Sequence, residues 1–289
     1  MEKEYGETFK SIRLSKNFEQ FFVSKNVLHQ TTYSKFELGK TDVTSKKFVA
    51  LLRNIEMDFE EFDFIHHSYS YSPRDAIIKK FYNLKFIDED VLQEIITEAE
   101  LYLEKENDRY IENLLNASKG LRAFGKNNNI DKARLYAENV WHRMEQLDTW
   151  YLSDLRLINS ILFMFPIETA MTITKFALSQ LYKYKQHSLF KKLLLPFKYN
   201  LVHLLIRENQ LKKAYKINEE LIEDFKKEKA FFQLSLCYLR KGLLQEKLGI
   251  GNNINYIERA YQIPHLFDDQ ELQKQLEDET QYVTELLHK

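Results

Sequence analysis

Apolar residues recur every three or four positions along most of this chain, and polar residues fill the positions between them. This spacing is typical of amphipathic α-helices, whereas a half-buried β-strand alternates with a period of two, and no segment does so convincingly. The chain has only seven Gly and four Pro, and it is rich in Leu, Lys and Glu, which favour helices. The pattern therefore predicts an all-α protein.

The first 66 residues predict a bundle of short helices with an aromatic core. Phe9 and Ile12 mark the inner face of the first helix, and Asn17 stands where it can cap the second. We expect Phe18, Phe21 and Phe22 to form the core face of that second helix, with Val23 as a further candidate. A later helix, capped by Thr44 or Ser45, is expected to pack inward through Phe48, Leu51, Leu52 and Ile55, with Phe59, Phe62 and Phe64 closing the domain.

The stretch from Gln30 to Leu38 predicts a helix of about two and a half turns, and Gly39 follows where a left-handed helix terminus favours glycine. Tyr33 and Phe36 fall on one face, with Leu38 nearby, so that face is expected to pack. The outward residues are polar: Gln30, Thr31, Ser34 and Lys35. Side chains of these types bind base edges or phosphates in the DNA major groove. We therefore predict a DNA-reading helix.

Three motifs carry a family resemblance: Gly6-x-x-Phe9-Lys10-x-x-Arg13, Tyr33-Ser34-Lys35-Phe36-Glu37-x-Gly39 and Phe48-x-x-Leu51-Leu52. Together they resemble the helix-turn-helix domain of the Cro/phage-repressor class, and more narrowly that of the Rgg/GadR/MutR regulators of Gram-positive bacteria. The resemblance implies a homodimer that binds pseudo-palindromic double-stranded DNA. It also implies an all-helical, TPR-like C-terminal domain that binds a short signalling peptide in quorum sensing.

The same resemblance assigns roles within the DNA-binding domain. Gln30, Thr31 and Lys35 occupy base-contacting positions, and Ser34 suits a base or a phosphate. Arg13 either orients the first helix or contacts the DNA backbone. The remaining candidates for phosphate contact are Lys10 and Lys40.

A polar segment separates this domain from the rest of the chain. Residues 66–73 lack helical periodicity and contain Ser68, Ser70 and Ser72, and Pro73 suits the first turn of a new helix. We expect a DNA-binding domain at residues 1–66, a linker at 67–73 and a helical repeat domain at 74–289.

A weak repeat follows the linker, in which Ile or Leu precedes Ala by three positions. It occurs four times, and its Ala residues are 37, 44 and 46 positions apart: Ala133, Ala170, Ala214 and Ala260. A small residue allows two helices to approach closely, so the repeat predicts TPR-like hairpins stacked into a superhelix. The first helices of the pairs are expected near residues 110–124, 150–163, 188–207 and 229–248, and residues 270–288 form a capping helix.

The first helices of such a stack line a concave face that suits an extended peptide. Asn159 and Asn200 are amides among apolar residues, so each either holds a ligand backbone or makes a polar contact between helices. They resemble the concave-face Asn residues of peptide-binding regulators. Arg156 and Tyr199 lie beside them. Cys237, in an apolar run, either packs as a small core residue or lines the ligand pocket.

Charge and composition indicate where DNA could bind and in which compartment the protein is expected. The formal net charge is −1, but residues 1–53 contain ten Lys and Arg against six Asp and Glu, which is enough for a local DNA-binding face. Cys237 is the only cysteine, which precludes an intrachain disulfide and favours the cytoplasm. We expect no signal peptide and no membrane contact, because the most apolar stretch, residues 158–167, is too short to span a bilayer.

We find no metal-ligand spacing, Gly-rich phosphate loop or nucleophile motif, so we expect no metal, no cofactor and no enzyme activity. The sequence predicts a sequence-specific DNA-binding transcriptional regulator, dimeric and controlled by a peptide. Two alternatives stay open. One is a protein-binding helical-repeat scaffold whose N-terminal helices only pack, and the other is a regulator that responds to a small molecule.

Overall fold

The computed structural model describes residues 4–84, 87–127, 129–251 and 254–288. All regular elements in these ranges are helical, which confirms the all-α prediction. The chain forms two compact units, one of residues 1–84 with 101–107 and the other of residues 85–100 with 108–289. No helix within the described ranges is long and apolar enough to cross a bilayer.

The first unit is a bundle of short helices around an aromatic core. Its helices are α1 (Tyr5–Ser15), α2 (Gln20–Ser24), α3 (Gln30–Glu37), α4 (Ser45–Asn54), α5 (Phe59–His66) and α6 (Pro73–Tyr82). Phe9 lies at the centre, with ring centroids 5.3 Å from Phe36, 5.4 Å from Phe48 and 4.8 Å from Phe62. Tilted and edge-on ring contacts of this kind add to the gain from apolar burial.

The inward face predicted for α4 is confirmed. Leu51, Leu52 and Ile55 are buried and Phe48 packs against them. Thr44 stands at the N-cap position of α4, although its side chain makes no capping bond.

The second helix departs from prediction. Phe21 and Phe22 are 60% and 50% exposed, and the buried residues of α2 are Val23, the further candidate, and Ser24. The helix has only five residues, so one side of a single turn faces the core and the two phenylalanines point away. Phe18 packs partly against the core, with its ring 5.0 Å from that of Phe22. Asn17 adopts a left-handed conformation instead of capping α2, whose N-cap is Glu19.

Two other apolar predictions are wrong. Leu38 and Phe59 are 51% and 55% exposed, because Leu38 lies beyond the last residue of α3 and Phe59 is the first residue of α5. Phe62 is fully buried, as predicted.

The predicted linker at residues 67–73 lies within the first unit. Pro73 occupies the first turn of α6, as predicted, and the Ser72 hydroxyl accepts a hydrogen bond from the Asp75 amide. Lys79 of α6 pairs with Glu60 of α5 at 2.6 Å and lies over the ring of Tyr71. These contacts join α6 to α5, and independent folding of residues 1–66 stays a prediction.

The second unit consists of helical hairpins. Its helices are α7 (Glu89–Leu103, whose last three residues belong to the first unit), α8 (Arg109–Asn127), α9 (Ile130–Met144), α10 (Leu152–Ile161), α11 (Ile167–Leu181), α12 (Phe190–Arg207), α13 (Leu211–Glu228), α14 (Phe231–Leu248), α15 (Tyr256–Leu266) and α16 (Gln270–His288). The predicted first helices of the pairs correspond to α8, α10, α12 and α14, and α16 matches the predicted capping helix.

The alanine signature marks the second helix of each pair. Ala133, Ala170, Ala214 and Ala260 are all fully buried near the starts of α9, α11, α13 and α15. Each alanine has a small side chain near the turn of its hairpin, so the two helices can approach closely there. The repeat prediction is therefore confirmed by packing as well as by helix positions.

Gly6 provides a test of packing in the first unit. A Cβ at this position would lie 1.7 Å from the carbonyl oxygen of Phe36, so α1 and α3 cannot keep their approach if Gly6 is replaced. We expect Gly6→Ala to lower the free energy of unfolding of this unit by about 3 kcal/mol.

The measurement is thermal unfolding by far-UV circular dichroism. Fluorescence of Trp141 and Trp150, both in the second unit, serves as an internal reference. Gly251→Ala is the matched control, because a Cβ there meets no atom within 4 Å. Equal stability of the two variants would contradict the close approach.

Candidate functional site

Helix α3, which the sequence predicts to read DNA, has the two faces expected from its sequence. Tyr33, Phe36 and Glu37 are buried, whereas Gln30, Thr31 and Lys35 are exposed and Ser34 is half-buried. Four polar side chains therefore occupy the outer side of one short helix. Their contact with DNA stays a prediction.

The end of α3 is fixed by Gly39. Its φ of 64° lies in the left-handed region, as predicted. The Gly39 amide donates to the Phe36 carbonyl and the Lys40 amide to the Lys35 carbonyl, both at 2.9 Å. These bonds close the helix and turn the chain away from it. Lys40 is thereby left exposed directly beyond α3, and Lys10 is exposed on α1.

A buried ion pair holds α3 against α1. The Arg13 guanidinium donates from Nε to Glu37 Oε1 at 2.5 Å and from Nη2 to Oε2 at 2.9 Å. Its Nη1 donates to the Phe18 carbonyl at 2.8 Å, and Gln20 adds a third donor to Glu37. Arg13 is 8% exposed and Glu37 is 1% exposed. The pair therefore connects α1, α2 and α3.

The geometry corrects the assignment of Arg13 to the DNA contacts. All three donor nitrogens have acceptors within the protein, and the hydrogen bond to Glu37 raises the pKa of Arg13. The charge of Arg13 is therefore already paired inside the first unit. Of the two roles predicted for Arg13, orienting the first helix is the one that this geometry supports. Glu37, a residue of the second motif with no predicted role, is its essential partner.

In the second unit, polar contacts join successive first helices. The Asn200 amide nitrogen, on α12, donates to both the main-chain carbonyl and the side-chain oxygen of Asn159 on α10, each at 3.1 Å. The two predicted amides therefore make an interhelical contact with each other. Both remain half-exposed beside Arg156, which is exposed on α10. This arrangement leaves a role in ligand binding open.

Tyr199 is committed to a different cluster. The Arg240 guanidinium of α14 lies 3.8 Å from its ring centroid and donates to its carbonyl at 3.0 Å. Arg240 also donates from Nε to Glu279 of α16 at 2.6 Å. Burial raises the pKa of the Tyr199 hydroxyl well above its usual range. Tyr199 thus helps to connect three helices.

Sequence reasoning missed this cluster and its neighbour. His203 of α12 stacks on Tyr282 of α16, with ring centroids 5.3 Å apart and planes 4° apart. Arg207 donates to the Phe163 carbonyl at 3.1 Å. The available signal was weak: Arg240 interrupts the apolar run of α14, and the partners of these residues are distant in sequence.

Cys237 is corrected from ligand-pocket candidate to core residue. Its side chain is fully buried, and its carbonyl accepts a hydrogen bond from Asn218. Burial raises the pKa of the thiol to about 12. The described residues contain no group of three His, Cys, Asp or Glu side chains arranged to hold a metal.

Known proteins share this architecture. The receptor Rgg2 of Streptococcus dysgalactiae, described as a SHP pheromone receptor, superposes with a TM-score of 0.70 at 14% identity, over 96% of this chain and 99% of that one. PlcR of Bacillus thuringiensis, solved with the peptide PapR7 and DNA, gives 0.69 at 17% identity, over 96% and 98%. No curated protein matches the chain in sequence.

At 14% and 17% identity, these superpositions show that the chain shares the all-helical fold of these proteins. Residues 144–278 match the family described as HTH-type transcriptional regulator Rgg, C-terminal domain. This match covers 135 of the 289 residues and agrees with the Rgg resemblance that the motifs carry.

The buried pair leads to a prediction for Glu37→Ala. Removing the carboxylate leaves the Arg13 charge buried without a partner, which costs about 3 to 5 kcal/mol. We expect amide hydrogen exchange along α3 to accelerate by two or more orders of magnitude. Glu61→Ala, at an exposed site on α5, is the matched control. Unchanged exchange in Glu37→Ala would contradict a structural role for the pair.

Cys237 provides a second test. Because the reactive thiolate forms only as the pH approaches the raised pKa, we expect almost no reaction with a thiol reagent at pH 8 in the native protein. Unfolding in urea lowers the pKa toward its ordinary value and exposes the sulfur, so labelling becomes fast. Rapid labelling without denaturant would show that Cys237 faces an open pocket.

Proposed function

We propose that this protein is a sequence-specific DNA-binding transcriptional regulator that acts as a homodimer and responds to a short peptide. The observation that carries the proposal is the outer face of α3, where Gln30, Thr31 and Lys35 are exposed while Arg13 and Glu37 hold the helix from behind. Residues 1–66 would serve as the DNA-binding domain and residues 74–289 as the peptide-binding and dimerisation domain, joined by the linker 67–73.

The chemistry of α3 suits base recognition. A Gln side chain pairs with adenine through two hydrogen bonds, and a Lys ammonium pairs with guanine or a phosphate. Thr31 and Ser34 supply hydroxyls between Gln30 and Lys35, and the exposed ammonium groups of Lys10 and Lys40 suit phosphates. Two such helices in a dimer would lie about 34 Å apart on a pseudo-palindromic operator.

Proteins of similar fold and the first helices of the second unit support peptide control. The structures of PlcR with PapR7 and DNA, and of ComR from S. thermophilus with DNA and its signalling peptide ComS, are examples of both ligands bound to proteins of similar fold. In this chain, Arg156, Asn159 and Asn200 offer donors and acceptors for an extended peptide. Tyr199 contributes to the site indirectly, because its ring and its carbonyl hold Arg240 in position.

Control by a ligand requires a difference in affinity. The peptide must bind one arrangement of the dimer more tightly than the other, because a ligand with equal affinity for both shifts nothing. A response of tenfold in DNA affinity needs a difference of about 1.4 kcal/mol between the two states.

The test is in-vitro selection of DNA sites by the purified protein at about 150 mM salt, where non-specific phosphate binding is weak. We expect a pseudo-palindrome with two half-sites to be enriched. The Gln30→Ala/Lys35→Ala variant should lose that enrichment, because it lacks base contacts while keeping the buried face of α3 intact.

The control is Gln146→Ala/Lys185→Ala, which removes the same residue types from exposed positions in the second unit. It should select the same site as the unmodified protein. If Gln30→Ala/Lys35→Ala enriches the same site as the control variant does, base reading by α3 is overturned. If neither the protein alone nor the protein with a cell-extract peptide fraction selects any site, the scaffold alternative replaces the regulator proposal.

A further inference from the structure

Helix α12 carries an unbalanced distribution of charge. Between Phe190 and Arg207 it has four basic residues and no Asp or Glu. On one side of the helix these charges are compensated by α13: Lys191 pairs with Glu228 at 2.8 Å, and Lys198 pairs with Glu220 at 3.3 Å.

The other basic residues of α12 lack such compensation. Lys192 is exposed and Arg207 is half-buried, and neither has a carboxylate within ion-pair distance among the described residues. They lie fifteen residues apart along α12, which corresponds to about 22 Å. Asn200, which contacts α10, lies between them. This row of two cations and an amide is the α12 basic row.

The positive potential beside this row acts on a neighbouring group. Burial, together with the charges of Arg240 and Arg207, which oppose protonation, lowers the pKa of His203 to about 3. His203 is therefore neutral at physiological pH, and its imidazole adds no charge to the row. The surroundings favour an anion over a second cation.

The chain itself shows which chemistry suits this side of α12. Helix α16 packs there, with one group on α12 itself and one on Arg240 of α14, whose guanidinium lies over the ring of Tyr199 of α12. Glu279 accepts from Arg240 at 2.6 Å, and the ring of Tyr282 stacks on His203. A carboxylate and an aromatic ring thus meet a cation and an imidazole. Lys192 and Arg207 repeat the cationic half of this match without a carboxylate among the described residues.

We propose that the peptide bound by the second unit is anionic and that its carboxylate binds Lys192 or Arg207 of the α12 basic row. This inference rests on the proposed peptide control and adds the charge of the ligand. The carboxylate belongs either to an Asp or Glu side chain or to the peptide C terminus. An extended peptide of about seven residues spans the distance between the two cations.

The test uses two synthetic random octapeptide libraries, one with a free C-terminal carboxylate and one with a C-terminal amide. Full-length protein selects from each at about 150 mM salt, and the recovered peptides are sequenced. Enrichment of Asp and Glu in both libraries identifies a side-chain carboxylate. Recovery from the free-carboxylate library alone identifies the C terminus. Either outcome supports an anionic ligand.

The recovered peptides are then measured against variants of matched charge. Lys192→Gln and Arg207→Gln are expected to weaken binding of their peptides, by about tenfold for whichever cation holds the carboxylate. Lys191→Gln is the control, because it removes the same charge one residue away, on the side that faces Glu228. Its affinity for the peptides should stay within about twofold. Equal thermal midpoints exclude misfolding as the cause.

Two outcomes would overturn the inference. Recovery of neutral or basic peptides, with affinities unaltered by Lys192→Gln and Arg207→Gln, would reject an anionic ligand while leaving peptide control intact. Recovery of no peptide from either library, by protein that still selects a DNA site, would reject peptide control together with this inference.

Discussion

The outer face of α3 depends on one buried ion pair. Arg13 and Glu37 connect the first and third helices, while Phe18 and Gln20 extend the same set of hydrogen bonds to the second. A buried pair of this kind contributes little net stability, because desolvation offsets much of the attraction. Its geometry is specific, however: a guanidinium fork meets a carboxylate in one orientation. The pair therefore determines the rotation of α3 about its own axis, and this rotation determines which of its side chains reach the solvent.

Polar contacts set the register of the second unit in a similar way. Small alanines allow each hairpin to close, but apolar packing alone permits neighbouring helices to slide. Asn200 against Asn159 and Arg207 against the Phe163 carbonyl connect α12 to the preceding repeat. Arg240 connects α14 to α12 and to α16. These contacts leave uncompensated positive charge on α12, where we propose that the ligand binds. The same row of first helices thus carries both the structural contacts and the proposed binding surface.

Helical periodicity and the alanine signature predicted the fold, because both record local packing that a sequence displays directly. The failures have physical causes. Phe21 and Phe22 resembled a core face, but a five-residue helix buries only one side of a turn. Arg13 looked available because its partner lies 24 residues away, and Glu279 lies 39 residues from Arg240. Ion pairs between residues so distant in sequence depend on tertiary structure, and they produce no local pattern in a single sequence.

Base reading by α3 is tested most directly by a thermodynamic cycle between Lys35 and the selected operator. Affinities are measured for the unmodified protein and for Lys35→Ala, on the operator and on copies with one base pair changed at each position. Base reading predicts that Lys35→Ala removes discrimination at one position per half-site, worth about 1 to 3 kcal/mol, and leaves the other positions unaltered. A uniform loss at every position would contradict base reading by Lys35 and assign that side chain to a phosphate.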